Sequence, residues 1–309
     1  MVRPQPVKNE KASLAIVRIY KEATLLENKQ RRQISKFAKN FGNFRWKGGG
    51  KLEPKIIAMA GKGGVGKTSL AAAMVKVLVQ AYPGKKILAI DADPAVGLST
   101  ALGIEVGMTV DDIRKEVVAS AEDGDTKTAV ELLGEARYRI FDALVEQNGF
   151  SFIAIGRPEA AGCYCKINSY LKEVIRILSE NFDYIVIDGE AGIEQINRRV
   201  MEKVTHLMLI TDSSRKGTQV VQTIKKVADE LVMYEKAGVI INRLPDMEVI
   251  QYMDLADLPV LAAIPADASL AEFDLKGENV FYLSEEAAIV QGAREALKKI
   301  KILDEEGSA

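Results

Sequence analysis

"AMAGKGGVGKTSL", residues 58–70, follows a short apolar run and opens a helical pattern. It fits the phosphate-loop pattern G-x-x-x-x-G-K-[ST] at every fixed position. Glycines let backbone N–H groups turn toward phosphate oxygens, and the start of a helix adds positive potential. The stretch therefore predicts a nucleotide-phosphate site between a strand and a helix. Its residues are Gly61, Lys62, Gly63, Gly64, Val65, Gly66, Lys67, Thr68 and Ser69.

Two side chains of this loop carry the predicted chemistry. Lys67 is expected to place its charge on the β- and γ-phosphates, and the Thr68 hydroxyl is expected to bind Mg²⁺. The alternative is a glycine-rich turn that binds no nucleotide, which the full pattern and its strand–loop–helix context disfavour. The predicted cofactors are therefore ATP or ADP and Mg²⁺.

The rest of the chain has the rhythm of an α/β domain. Apolar runs without polar alternation are typical of parallel strands covered on both faces, and helical patterns separate them. The runs cover residues 55–60, 86–91, 150–156, 184–188, 206–211, 238–242 and 259–265, and the helical patterns cover residues 66–82, 168–180 and 214–231. We predict a doubly wound, mostly parallel sheet of about seven or eight strands with helices on both faces.

Charge divides the chain near Lys51. Residues 1–51 contain 13 Lys or Arg and 3 Asp or Glu, which leaves 29 and 40 for residues 52–309. This contrast predicts a basic, partly helical arm over residues 1–51 and one nucleotide-binding domain over residues 52–309. A mostly helical insertion is expected at about residues 104–148. The chain lacks a secretory signal pattern and an apolar run of roughly 18 residues, so we expect a cytoplasmic protein.

The segment "KGGVGKT" resembles the deviant phosphate loop of a family of P-loop ATPases. That family contains the septum-positioning and plasmid-partitioning ATPases, the nitrogenase iron protein and metallocentre assembly ATPases. The resemblance implies that Lys62 reaches across a homodimer interface to the nucleotide of the partner. Without the resemblance, Lys62 would be a solvated surface lysine.

The same resemblance assigns roles beyond the loop. Asp91 and Asp93 match the first switch, where one carboxylate orients the attacking water and another helps to hold Mg²⁺ through water. Asp188 matches the Walker B position and would hold a Mg²⁺-bound water, and Gly192 could sense the γ-phosphate. A further segment, "INRLP" at residues 240–244, places Asn242 and Arg243 where the family contacts adenine.

The chain has two cysteines, Cys163 and Cys165, in the segment "GCYC". Residues i and i+2 of an extended segment point to the same face, so both sulfurs can be offered to one ion. Two thiolates leave a metal incomplete, but a two-fold dimer supplies four, which suits Zn²⁺ or Ni²⁺. Buried packing, a strained redox pair and a bridging iron–sulfur cluster are the alternatives.

Within the large family, "GCYC", "DGEAGIEQINR" at residues 188–198 and "IPADASLAEFDLKG" at residues 264–277 resemble the CooC-type nickel-insertion ATPases. The resemblance covers about residues 55–300. It implies an ATP-dependent metallochaperone whose dimer carries nickel, or zinc as a surrogate, to a carbon monoxide dehydrogenase or acetyl-CoA synthase client.

The basic arm supports a rival hypothesis. Residues 27–47 place apolar side chains at helical spacing among Lys and Arg, a pattern that can bind an acidic protein surface, an anionic membrane or nucleic acid. We rank packing or client docking first, membrane association second and nucleic acid last. The rival is a septum-positioning or partitioning ATPase that cycles on membrane or DNA through this arm.

Overall fold

The structure is a computed structural model of the 309-residue chain. It describes residues 53–93, 97–113, 115–116, 140–156, 178, 180–189, 204–255 and 257–304. The predicted arm lies outside these ranges, as does most of the predicted insertion. The domain boundary at Lys51 therefore stays a prediction.

Contacts divide the chain into two compact units. One unit comprises residues 53–110 and 143–309, and the other comprises residues 1–52 and 111–142. In the second unit, Lys115 pairs with Asp111 one helical turn earlier, at 3.3 Å between Nζ and Oδ2. The first unit contains the sheet and the phosphate loop.

In the described part of the chain, eight strands form one sheet. They are β1 (Lys55–Gly61), β2 (Ile87–Asp91), β3 (Val145–Gln147), β4 (Phe150–Ala154), β5 (Tyr184–Asp188), β6 (His206–Thr211), β7 (Lys236–Leu244) and β8 (Val260–Pro265). Their spatial order is β3-β4-β2-β5-β1-β6-β7-β8. Every neighbouring pair is parallel except β3 with β4. The predicted fold class, a mostly parallel sheet of seven or eight strands, is confirmed.

Helices cover the sheet because both faces of its strands are apolar. The helices are α1 (Lys67–Ala81), α2 (Gly97–Ala101), α3 (Arg215–Leu231), α4 (Ala268–Lys276) and α5 (Ala288–Lys299), with 3₁₀ turns at Met247–Tyr252 and Val280–Tyr282. Along β1, Ile57 and Met59 join the core that α1 and α5 complete. Ala58 and Ala60 alternate with them and are also buried. No helix in the described ranges combines the length and hydropathy needed to cross a bilayer.

The sheet has one strand that the sequence did not predict. β3 lies inside the stretch expected to be a helical insertion and pairs antiparallel with β4, at the edge of the sheet. Its three residues, Val145, Glu146 and Gln147, are half-buried or exposed. So short and polar a strand has no apolar run by which it could be recognised.

Close packing of α5 on β8 gives a first prediction. A Cβ atom at Gly292 would lie 2.4 Å from both Cγ1 and Cδ1 of buried Ile264. Alanine improves helix propensity by about 1 kcal/mol, but overpacking costs about 1–3 kcal/mol. We expect Gly292→Ala to lower the free energy of unfolding in urea titrations, and Ile264→Ala to cost less in that background than in the wild type. Gly107→Ala is the control, because a Cβ there meets nothing within 4 Å.

Candidate active site at the carboxyl edge of the sheet

The phosphate loop joins the end of β1 to the start of α1. Gly64 and Gly66 have φ of 79° and 87°, in the left-handed region that favours glycine. Gly66 caps α1, and its carbonyl accepts the N–H of Leu70 at 3.0 Å. The loop geometry thus depends on Gly66, a fixed position of the sequence pattern, and on Gly64, which the pattern does not specify.

Lys67 lies over this loop. Its side chain is buried, and its Nζ donates to the carbonyls of Gly61 at 3.4 Å and Lys62 at 3.2 Å. From this position the ammonium can reach a phosphate group in the loop.

Two aspartates lie beside the loop at the same register of neighbouring strands. Asp91 ends β2, Asp188 ends β5, and the two are paired across the parallel ladder. Both are buried. Their side chains differ in what they contact. Asp91 Oδ1 accepts the N–H of Asp93 at 3.1 Å and Oδ2 accepts that of Leu98 at 2.9 Å. Both oxygens of Asp188 lack a hydrogen-bond partner among the described residues.

Burial shifts the acidity of both groups. It raises the pKa of Asp188 to about 7, an effect that the Thr68 hydroxyl and the Lys67 ammonium oppose and the Asp91 carboxylate reinforces. Burial also raises the pKa of Asp91 to about 6, against backbone hydrogen bonds that favour the carboxylate. Two buried acids with raised pKa values create a place where a cation would be stabilised.

The donors fit Mg²⁺. This ion prefers hard oxygen ligands and keeps several of its waters, and Thr68 and Asp188 supply oxygen donors beside the phosphate loop. The unpartnered Asp188 oxygens are the structural observation that supports the assignment. Thr68 and Asp188 would hold the ion, which would supply positive charge against the terminal phosphates of ATP.

Asp91, one of the two first-switch aspartates, is held by hydrogen bonds to the backbone. Because both Asp91 oxygens accept backbone N–H groups, Asp91 here positions the start of α2. Asp93 is half-buried at the same edge. The orientation of attacking water by one of these two carboxylates stays a prediction.

The two predicted adenine residues, Asn242 and Arg243, contact the phosphate loop. Asn242 is buried, and its Nδ2 donates to the carbonyl of Val65 at 2.8 Å. Arg243 has φ of 59°, and its Nη1 donates to the carbonyl of Gly64 at 3.0 Å. The end of β7 thus clamps the loop from the side of β6 and β7. The adenine contact stays a prediction, and these bonds add a role that the sequence did not suggest.

Lys62 contacts a residue that the sequence analysis missed. Its Nζ lies 3.0 Å from Oδ2 of Asp212, which directly follows β6. The sequence does contain a signal for Asp212. It is an acid directly after an apolar strand, at the same edge of the sheet as Asp91 and Asp188. Three predicted site residues, Cys163, Cys165 and Gly192, lie outside the described residues.

Comparison with known proteins agrees with this geometry. The family model described as the CobQ/CobB/MinD/ParA nucleotide binding domain matches residues 56–280. The chain belongs to this family. It is an ATPase of the MinD/ParA type, and the oxygen donors of Thr68 and Asp188 beside the phosphate loop fit ATP or ADP with Mg²⁺.

Individual members of the MinD/ParA family show how far the similarity extends. An ATP-binding protein of Methanocaldococcus jannaschii is 36% identical over 249 residues, which cover 79% of this chain and 98% of the relative. The carbon monoxide dehydrogenase accessory protein CooC of Rhodospirillum rubrum is 25% identical, covering 74% and 90%. The septum site-determining protein MinD of Pyrococcus horikoshii, solved with Mg-ADP, is 20% identical with a TM-score of 0.57, covering 82% and 99%. This last likeness concerns the fold alone.

Proposed function

We propose that this ATPase is a cytoplasmic metallochaperone. Two chains pair when ATP is bound, and Cys163 and Cys165 of each chain converge on one Ni²⁺ or Zn²⁺ ion. Hydrolysis then releases the pair and promotes nickel insertion into a client of the carbon monoxide dehydrogenase or acetyl-CoA synthase type.

The cysteine pair is the observation that carries this proposal. Soft thiolates select ions such as Ni²⁺ and Zn²⁺, and one chain supplies only half of a four-thiolate site. β4, which precedes the cysteine segment in the chain, ends at Ala154 at the same edge as the phosphate loop, with Ile155 N–H donating to Asp91 O at 2.8 Å. The chain therefore leaves the sheet beside the first switch before it reaches Cys163. The similarity to CooC, a carbon monoxide dehydrogenase accessory protein by name, adds independent support.

Each step of ATP binding and hydrolysis is assigned to residues of the candidate site. Lys67 and the loop amides bind the phosphates, Thr68 and, through a bound water, Asp188 hold Mg²⁺, and one of the first-switch aspartates, Asp91 or Asp93, orients water for attack on the γ-phosphate. Lys62 reaches the nucleotide of the second chain. ATP favours the paired state only if it binds that state more tightly than ADP does, so the nucleotide must change the affinity between chains.

Anaerobic metal titration tests the proposal. With a non-hydrolysable ATP analogue, we expect the wild type to retain one Ni²⁺ or Zn²⁺ per two chains, and less metal with ADP. The variant Cys163→Ala/Cys165→Ala should lose this metal while it still binds ATP by calorimetry, since the proposal assigns the cysteines to the metal and not to the nucleotide. Retention of one metal per dimer by the double variant would contradict the thiolate site.

The basic arm motivates the second candidate, a positioning ATPase that cycles on a surface. Sedimentation with anionic liposomes or DNA, with and without residues 1–51, separates the two functions. Surface binding that requires ATP and the arm, together with absence of bound metal, would favour the positioning role.

A further inference from the structure

The Lys62–Asp212 pair is fixed by the sheet on both sides. β1 and β6 are parallel neighbours, and Gly61 pairs with Ile210 across their ladder. Lys62 follows the last residue of β1, and Asp212 follows the last residue of β6. Residues 150 positions apart are thus brought together by strand register rather than by loop geometry.

Asp212 is held in place to receive one ammonium group. Its Oδ1 accepts the backbone N–H of Ser214 at 3.1 Å and a short bond from the Ser214 hydroxyl, while Oδ2 faces Lys62. Gly217 lies in the first turn of α3, and a Cβ atom at this position would lie 2.4 Å from Oδ1 of Asp212. Position 217 must therefore be small. Burial alone would raise the pKa of Asp212, but the bonds from Ser214 and Lys62 lower it below its usual value.

We propose that Asp212 retains Lys62 in its own chain and competes for it with the nucleotide of a second copy. Asp212 thereby sets the ATP concentration at which two chains pair. The inference rests on the proposed function in one respect, which is that Lys62 acts across a homodimer.

The expected size of the effect follows from exposure and symmetry. The two side chains are 29% and 30% exposed, and ion pairs of this kind change an equilibrium by about 1.4-fold to fivefold. Pairing breaks two such contacts, one in each chain, so the factors multiply. The dimerisation constant should change by about twofold to 25-fold when the contact is removed.

Asp212→Asn tests the proposal, because asparagine keeps an oxygen for Ser214 but loses the charge that binds Lys62. We expect it to lower the ATP concentration for half-maximal dimerisation, measured by analytical ultracentrifugation at low salt, and the difference should shrink as salt screens the pair. Ser214→Ala removes the anchor of Oδ1 and should shift the threshold in the same direction by less. Asp229→Asn is the matched control, since Asp229 pairs with Lys225 on the exposed side of α3.

A double-mutant cycle with Lys62→Ala separates the outcomes. Loss of pairing in Lys62→Ala, whether or not Asp212 is changed, together with a lower threshold in Asp212→Asn, supports the proposal. An unchanged or higher threshold in Asp212→Asn would overturn it and leave the metallochaperone function intact. Normal ATP-dependent pairing by Lys62→Ala would overturn the crossing of Lys62 itself, and with it this inference.

Discussion

Replacing Asp188 with asparagine is expected to stabilise the folded chain at pH 8 and to reduce ATP hydrolysis by at least about 100-fold. The opposite signs follow from one property. The carboxylate of Asp188 is buried, and the nearby Thr68 hydroxyl and Lys67 ammonium offset only part of the desolvation, so its charge costs folding energy. The same charge is what Mg²⁺ requires, so its removal disables the step that follows ATP binding.

The direction in which the free energy of unfolding changes with pH identifies Asp188 as the group responsible. The pKa of Asp188 rises from 3.8 to about 7 on folding, so the folded state binds more protons between these values. The free energy of unfolding therefore falls as pH increases through this window, and the loss is complete above pH 7. A pKa difference of this size corresponds to about 4 kcal/mol, and an unpaired amide returns about 1–3 kcal/mol of the gain. We expect a net stabilisation of about 1–3 kcal/mol at pH 8 that reverses to a destabilisation of about 1–3 kcal/mol below pH 4, where the wild-type acid is neutral and only the cost of the amide remains.

Asp91→Asn is the matched comparison. Asp91 lies at the same register and is equally buried, but both of its oxygens accept backbone N–H groups. The amide keeps only one acceptor, so we expect a smaller stabilisation or none. Urea titrations at several pH values, together with a phosphate-release assay, measure both effects. A variant Asp188→Asn that unfolds more readily than the wild type at pH 8 would show that the carboxylate is compensated by an interaction we have not identified.

The parts of the fold that the sequence predicted are those encoded in continuous apolar runs. The runs at residues 184–188 and 206–211 coincide with β5 and β6, which are buried along their whole length. The run at residues 238–242 captured only the centre of β7, because Lys236 and Arg243 extend the strand with charged side chains. A strand that is buried on both faces can be recognised from its apolar composition. How far a strand extends at its ends depends instead on the strands that pair with it.

The candidate site likewise has residues that the sequence predicts and contacts that it does not predict. The phosphate loop and the neighbouring Asp188 follow from local pattern and from the rule that parallel strands end at one edge. The contacts of Lys62 with Asp212 and of Asn242 with Val65 join residues 150 and 177 positions apart, and they depend on strand order and register. No local spacing encodes such contacts, which is why the sequence predicted an adenine role for Asn242 and not a loop clamp.

Gly66→Ala is the other substitution for which we expect a large effect, on both stability and ATP affinity. Gly66 has φ of 87°, where an alanine costs about 1–2 kcal/mol. Its Cβ would also lie 2.5 Å from Asn242 Nδ2, the atom that donates to Val65 O. Relief of this contact requires either the loop or the clamp to move, so we expect a further cost of about 1–3 kcal/mol. ATP affinity should fall at least about 100-fold, because the amides of the loop no longer converge on the phosphates.

Gly64→Ala isolates the two causes. Gly64 has φ of 79°, but a Cβ there meets nothing within 4 Å, so its variant has the backbone strain without the collision. The difference in unfolding free energy between the two variants therefore measures the contact with Asn242. Asn242→Ala should recover part of the stability of Gly66→Ala, although it removes the clamp in the wild type. If Gly64→Ala and Gly66→Ala are equally destabilised, backbone strain alone explains both, and Asn242 does not constrain the loop.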